Sequence, residues 1–190
     1  LQYVFLGPLV GALSRAATGW ISDKFGGGRV TFWTFIVMIA AVGGVLYFLG
    51  IKDQPGAFWG FFAMFMVLFF ATGVGNASTF QMIPIIMRKE LSRIMPGVSP
   101  AERLRSAEKE SAAIIGVTSA IAAYGAFLIP KAYGTSIALT GAPLGALWGF
   151  MVFYVSCAAM TWWVYTRPQG LLHNIERGRE QLEAAPQPAQ

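Results

Sequence analysis

Arg15 stands inside an apolar stretch, with Gly7, Gly11 and Gly19 placed around it at four-residue intervals. That interval stacks all four positions on one side of an α-helix. A permanent cation at membrane depth is costly, so it faces a partner or a water-filled path. Glycines on the same face bare the backbone and leave room beside it. The chemistry open to this arrangement is to seat a small anion, or to hold one half of an ion pair, inside a bilayer. Asp23 falls four residues past Gly19, followed by Lys24 and a run of three glycines, Gly26, Gly27 and Gly28.

Two further segments carry polar or small side chains in apolar surroundings. In Thr72–Pro84, Gly73 and Gly75 loosen a helix, while Asn76, Ser78, Thr79 and Gln81 bring hydrogen-bonding groups into low-dielectric space. Such groups face protein or water, not lipid. They suit either an anion or interhelical hydrogen bonding, which is worth about 0.6 kcal/mol per bond on average. In Gly116–Lys131, Gly116, Ala120 and Ala123 or Tyr124 share a helix face, as do Ser119, Ala123 and Phe127. One side is nearly free of bulk, which lets helices touch and slide. Tyr124 offers a hydroxyl or a ring face to a ligand or to packing, and Gly125 follows it.

The elements that must position these residues are membrane helices. Of 190 residues, 55% are hydrophobic and 12% charged, against about 25% charged in soluble domains. Val30–Gly50, Ala57–Met87, Ser111–Pro130 and Pro143–Thr166 contain no Asp, Glu, Lys, Arg or His, and Arg15 is the only charge between Tyr3 and Ile21. A spanning helix needs about 20 apolar residues. The pattern predicts an all-α membrane protein with five spans, at 3–21, 30–50, 57–87, 111–130 and 143–166. Residues 168–190 are predicted to be a polar tail with at most one short helix, then disorder. Leu1 opens inside an apolar run without a Met, so a piece of a longer chain is expected.

Charge placement predicts orientation. Lys24, Arg29, Arg88, Lys89, Arg93, Arg103, Arg105, Lys109, Arg167, Arg177 and Arg179 fall on one side, Lys52 and Lys131 on the other, and Arg15 is embedded. Positive loops stay cytoplasmic, so the C-terminus is expected inside and Leu1 outside. This placement accounts for the net charge of +5 without nucleic-acid binding. Connections are expected at Ser22–Arg29, at Lys52–Gly56 as a tight external turn, at Arg88–Glu110 and at Lys131–Ala142. Within Arg88–Glu110, Pro100 is expected to open a short polar helix. Cys157 is the only cysteine and reads as a small buried hydrophobe. The only histidine, His173, lies in the tail, and no metal cluster or nucleophile–base set is present. An enzyme is not expected, nor is a metal or other cofactor.

The pattern Gly19-x-x-x-Asp23-Lys24-x-Gly26-x-x-Arg29 resembles the loop signature of the major facilitator superfamily. It departs in having two residues between Gly26 and Arg29, where the family usually has one. Phe5–Thr31, Gly75–Met82 and Phe127–Gly134 together resemble the NarK-type nitrate/nitrite porters, over Leu1 to about Arg167. The resemblance implies spans eight to twelve of a twelve-span transporter in a bacterial cytoplasmic membrane, lacking its N-terminal six-span half and span seven. It implies that Arg15 is one of two arginines that clamp nitrate or nitrite, its partner lying on a span absent from this chain. Guanidinium is planar with forked donors and nitrate is a planar monoanion, so two-point contact is natural. Arg15, Gly11, Asn76, Ser119, Tyr124 and Gly125 are the candidate substrate contacts. Gly19, Asp23, Lys24, Gly26 and Arg29 are the candidate gating loop. No Asp, Glu or His lies within a span, which leans toward nitrate/nitrite exchange over proton coupling. The alternatives are a porter for another small anion, or a non-transporting membrane anchor in which Arg15 pairs with a carboxylate elsewhere.

Overall fold

The structure, a computed structural model, describes residue 3 and residues 5–167, with the Asp23 side chain outside what it describes. The expectations for the tail at 168–190, including His173, lie outside the described residues. Among the described residues seven α-helices follow in order: α1 Leu6–Ala17, α2 Gly19–Phe25, α3 Gly27–Gly50, α4 Ala57–Ile94, α5 Pro100–Ala123, α6 Gly125–Thr140 and α7 Leu144–Thr161. A π-helical turn, Trp162–Thr166, extends α7. No strand occurs among the described residues. The chain has the all-α fold of a membrane protein.

Four helical stretches among the described residues are long and apolar enough to cross a membrane: Gly27–Gly50, Ala57–Ile94, Pro100–Thr140 and Leu144–Thr166. The expected first span is split into α1 and α2. Thr18 makes the break: its amide donates to the Ser14 carbonyl at 3.0 Å, and its Oγ1 donates to the same oxygen at 2.6 Å. Such a back-bond bends helices. The backbone leaves the helical region at Thr18 (φ −104°, ψ 4°). Laid end to end, the two pieces would still reach roughly 30 Å.

The expected connections are tighter than the sequence suggested. Lys24 and Phe25 belong to α2, and α3 begins at Gly27, so Gly26 alone makes the reversal at φ 84°, ψ 126°. Helix α4 runs past Met87 to Ile94 with Pro84 inside it. Once polar residues reach water, nothing obliges a helix to stop where the hydrocarbon does. Helix α5 opens as expected at Pro100, capped by Ser99, whose Oγ accepts from the Glu102 amide at 3.3 Å. It then continues into the apolar segment without a break. The expected external loop at Lys131–Ala142 is mostly helix α6. The turn is confined to the residues around Gly141, at φ 72°. Ser136 Oγ donates to the Ala142 carbonyl at 2.9 Å, and Thr140 Oγ1 to the Ser136 carbonyl at 2.8 Å, so the turn-type side chains tie off the helix end.

Helix α4 is the hub, packing on α1, α2, α3 and α5, while α7 packs on α3 and α6 on α7. Val42, Val45 and Leu147 form the apolar centre between α3 and α7. Most other buried residues are Ala, Ser, Thr and Gly, whereas Trp, Phe, Ile and Leu dominate the exposed set. That inversion is what lipid demands: apolar surface gains nothing by leaving hydrocarbon, so helices meet through small residues that allow close packing. Cys157 is half-buried and free.

Candidate anion site

Arg15 lies in the last turn of α1. The carbonyl end of a helix favours a cation there. The residue is exposed, and its guanidinium carbon sits 5.2 Å from the centroid of the Phe80 ring on α4. No carboxylate among the described residues pairs with it, since the one ion pair found there is the exposed Glu90–Arg93 contact at 3.8 Å. No hydrogen bond occupies its N–H groups among the described residues. The ring's π cloud offsets part of the charge and leaves the guanidinium fork open.

The glycines around Arg15 serve the helix contact that holds it. A Cβ on Gly11 would lie 3.3 Å from the Phe69 carbonyl oxygen, and one on Gly7 would run into the Phe69 ring. The tightest approach comes from the other helix. A Cβ on Gly73 would overlap Ser14 Oγ, lie 2.5 Å from the Gly11 carbonyl oxygen and lie 2.9 Å from the Arg15 amide nitrogen. Gly73 therefore sets how close Arg15 comes to α4. Ser14 is buried there and donates to the Gly11 carbonyl at 3.0 Å.

The polar segment of α4 divides into two kinds of residue. Ser78, 0% exposed, shares a 2.8 Å hydrogen bond with Thr31 of α3. That pair is interhelical packing. Thr72 and Thr79 are exposed, but their hydroxyls donate to the carbonyls of Phe69 and Gly75, each at 2.8 Å. Their protons are not available to an anion. Asn76 is exposed and its amide makes no hydrogen bond among the described residues. It precedes Phe80 by four residues, so it lies on the same face of α4 one turn away. Arg15, Gly11 and Asn76 thus gather along the α1–α4 seam.

Ser119, Tyr124 and Gly125 are placed differently. Helix α5 packs on α4 and buries Ala107 and Ser111 in its first half. From Gly116 to Tyr124 every residue is exposed, Tyr124 at 70%. The structure brings none of the three into a hydrogen bond with the Arg15 group. In the candidate gating loop, a Cβ on Gly19 would lie 2.9 Å from Gln81 Nε2, so α2 rides close on α4. Gln81 Oε1 and Ser22 Oγ are buried without hydrogen-bond partners among the described residues. Lys24 and Arg29 are exposed, and Lys24 Nζ lies 5.6 Å over the Phe25 ring. Among the described residues, no three metal-ligating side chains gather.

Sequence reasoning missed Phe80, Ser14 and Phe69 as parts of the Arg15 seat, and it did not assign Gly73 its partner. Only the spacing of Phe69, Gly73, Asn76 and Phe80 on α4 hinted at a common stripe.

No family model matches the chain. Related sequences do. The chain is 48% identical over 170 residues to the nitrate/nitrite transporter NarU of Salmonella typhimurium, covering 88% of this chain and 36% of that protein. To the Escherichia coli NarU it is 45% identical over 170 residues, with the same coverage. To the probable nitrate/nitrite antiporter NarK2 of Thermus thermophilus it is 35% identical over 169 residues, covering 88% of this chain and 33% of that protein. The chain spans about a third of the length of these relatives. Over those residues its sequence is similar to that of the NarK-type nitrate/nitrite porters.

Proposed function

We propose that this chain is part of a secondary transporter that moves nitrate and nitrite across the bacterial cytoplasmic membrane by alternating access. Arg15 is one arm of the anion clamp. The observation that carries the reading is an apolar helix with one arginine, unpaired among the described residues, held on the Phe80 ring with its fork open. A bound nitrate supplies the missing negative charge, and the planar fork fixes its orientation. Asn76 adds a neutral donor one turn away. The second arm is an arginine outside this chain, in the other half of the transporter. Related proteins named as nitrate/nitrite transporters support the substrate class.

The transport mode proposed is nitrate/nitrite antiport. No Asp, Glu or His lies in the apolar runs from 30 to 50, 57 to 87, 111 to 130 and 143 to 166. A clamp of arginines without a titratable partner relaxes by exchanging one anion for another. The two halves rock around the central anion, and Gly19, Asp23, Lys24, Gly26 and Arg29 latch the cytoplasmic gate, with the C-terminus on that side. Nitrate uptake into nitrite-loaded vesicles bearing the full natural protein tests the mode. Uptake should require internal nitrite and be indifferent to a proton gradient. Uptake driven by the proton gradient with no internal anion would exclude antiport.

A further inference from the structure

Away from Arg15, a groove of about 480 Å³ runs between α2, α3 and α4. Lys24 and Arg29 line its α2–α3 end, and Trp33, Val37, Phe70 and Val74 are among its walls. From Arg29 to Val37 the groove follows α3 for roughly 12 Å. Both cations are exposed, and no carboxylate is among the described residues lining the groove. Among the described lining residues charge therefore sits at one end only, and the rest are apolar apart from Thr34, whose hydroxyl proton is committed to the Val30 carbonyl at 2.8 Å.

That distribution selects the occupant. Nitrate is too small to fill the groove and has no hydrocarbon to cover its apolar walls. An apolar helix laid in the groove would leave two cations against hydrocarbon side chains. An amphiphile with an anionic head and a hydrocarbon chain matches both ends, because basic pockets between membrane helices on the cytoplasmic side suit anionic headgroups. We propose that this groove is a binding site for one anionic phospholipid, its phosphate between Lys24 and Arg29 and an acyl chain along Trp33, Val37, Phe70 and Val74. The bound lipid bridges α2, α3 and α4 across the Gly26 reversal. The site is independent of the anion carried at Arg15.

The test uses the full natural protein that carries this chain, delipidated and then offered dioleoylphosphatidylglycerol or dioleoylphosphatidylcholine, with retained lipid counted by native mass spectrometry. Two cations at a lipid surface favour the anionic lipid by about thirtyfold, and a single molecule should be retained per protein. The double variant Lys24→Gln/Arg29→Gln should bring the preference to near unity. The charge-keeping variant Lys24→Arg/Arg29→Lys should retain it, which guards against misfolding in the first variant. Excess glycerol phosphate should not displace the lipid. Equal retention of the two lipids by the unaltered protein would overturn the proposal, as would an undiminished preference in the Gln variant. Displacement by glycerol phosphate would show a headgroup-only site and overturn it too. No lipid retained by the unaltered protein would likewise overturn the proposal, with another part of the polypeptide as the occupant of the groove. None of these readouts requires transport.

Discussion

Gly73 and Arg15 meet backbone to backbone: a Cβ on Gly73 would lie 2.9 Å from the Arg15 amide nitrogen. The arginine is held against α4 because position 73 has no side chain. Gly73→Ala should lower thermal stability in detergent by about 1–3 kcal/mol, the usual range for overpacking, and weaken nitrate binding as α1 is pushed off α4. Gly116, with open space where its Cβ would go, serves as the control. Gly116→Ala should leave stability unchanged within about 0.5 kcal/mol. Equal thermal shifts for the two variants would refute the seam.

The ring beneath Arg15 should matter to the anion more than to the fold. Phe80→Leu removes the π face and keeps apolar bulk, so nitrate KM should rise about fivefold, from a cation–π contribution near 1 kcal/mol. Phe80→Tyr keeps the face and should stay close to the unaltered protein. Nitrate-uptake kinetics on both variants check this, and a Leu variant with unchanged KM would remove Phe80 from the seat.

Asn76 and Ser78, two residues apart, should separate ligand from packing. Ser78→Ala breaks the bond to Thr31 and should cost stability of about 0.6 kcal/mol, with nitrate affinity intact. Asn76→Ala, at an exposed amide with no partner among the described residues, should reduce affinity and leave thermal stability unchanged. The reverse outcome would exchange their roles.

Gly26 carries the α2–α3 reversal at φ 84°, ψ 126°, a conformation open in practice only to glycine. Gly26→Ala should cost of order 1–3 kcal/mol, read as a lower melting temperature. Gly50→Ala, in open space and helical, should be tolerated. A fully stable Gly26→Ala protein would mean that the reversal is not strained.

The membrane class was legible because charge-free runs bounded by basic residues announce spans directly, as at Val30–Gly50, between Arg29 and Lys52, and at Pro143–Thr166, just before Arg167. The helix ends were less so. Thr18 breaks the first span through a hydroxyl bond to Ser14, which composition does not reveal. Ser136 and Thr140 look like loop residues, yet they close the end of α6 through their hydroxyls. Arg15 was conspicuous as a charge in an apolar run. Its seat was not, because Phe80 and Gly73 lie more than fifty residues away in sequence and meet it only through tertiary packing. The polar segment of α4 read as one island. Only hydrogen bonds showed that Ser78 is packing while Asn76 has no partner among the described residues.

The central claim is that the Arg15 fork, and not its charge alone, holds the anion. The direct measurement is nitrate influx into nitrite-loaded vesicles for the unaltered full protein and for Arg15→Lys. Losing charge-assisted hydrogen bonds worth about 1.5–3 kcal/mol should cut kcat/KM by roughly 10- to 100-fold. Exchange by Arg15→Lys at the rate of the unaltered protein would contradict the account.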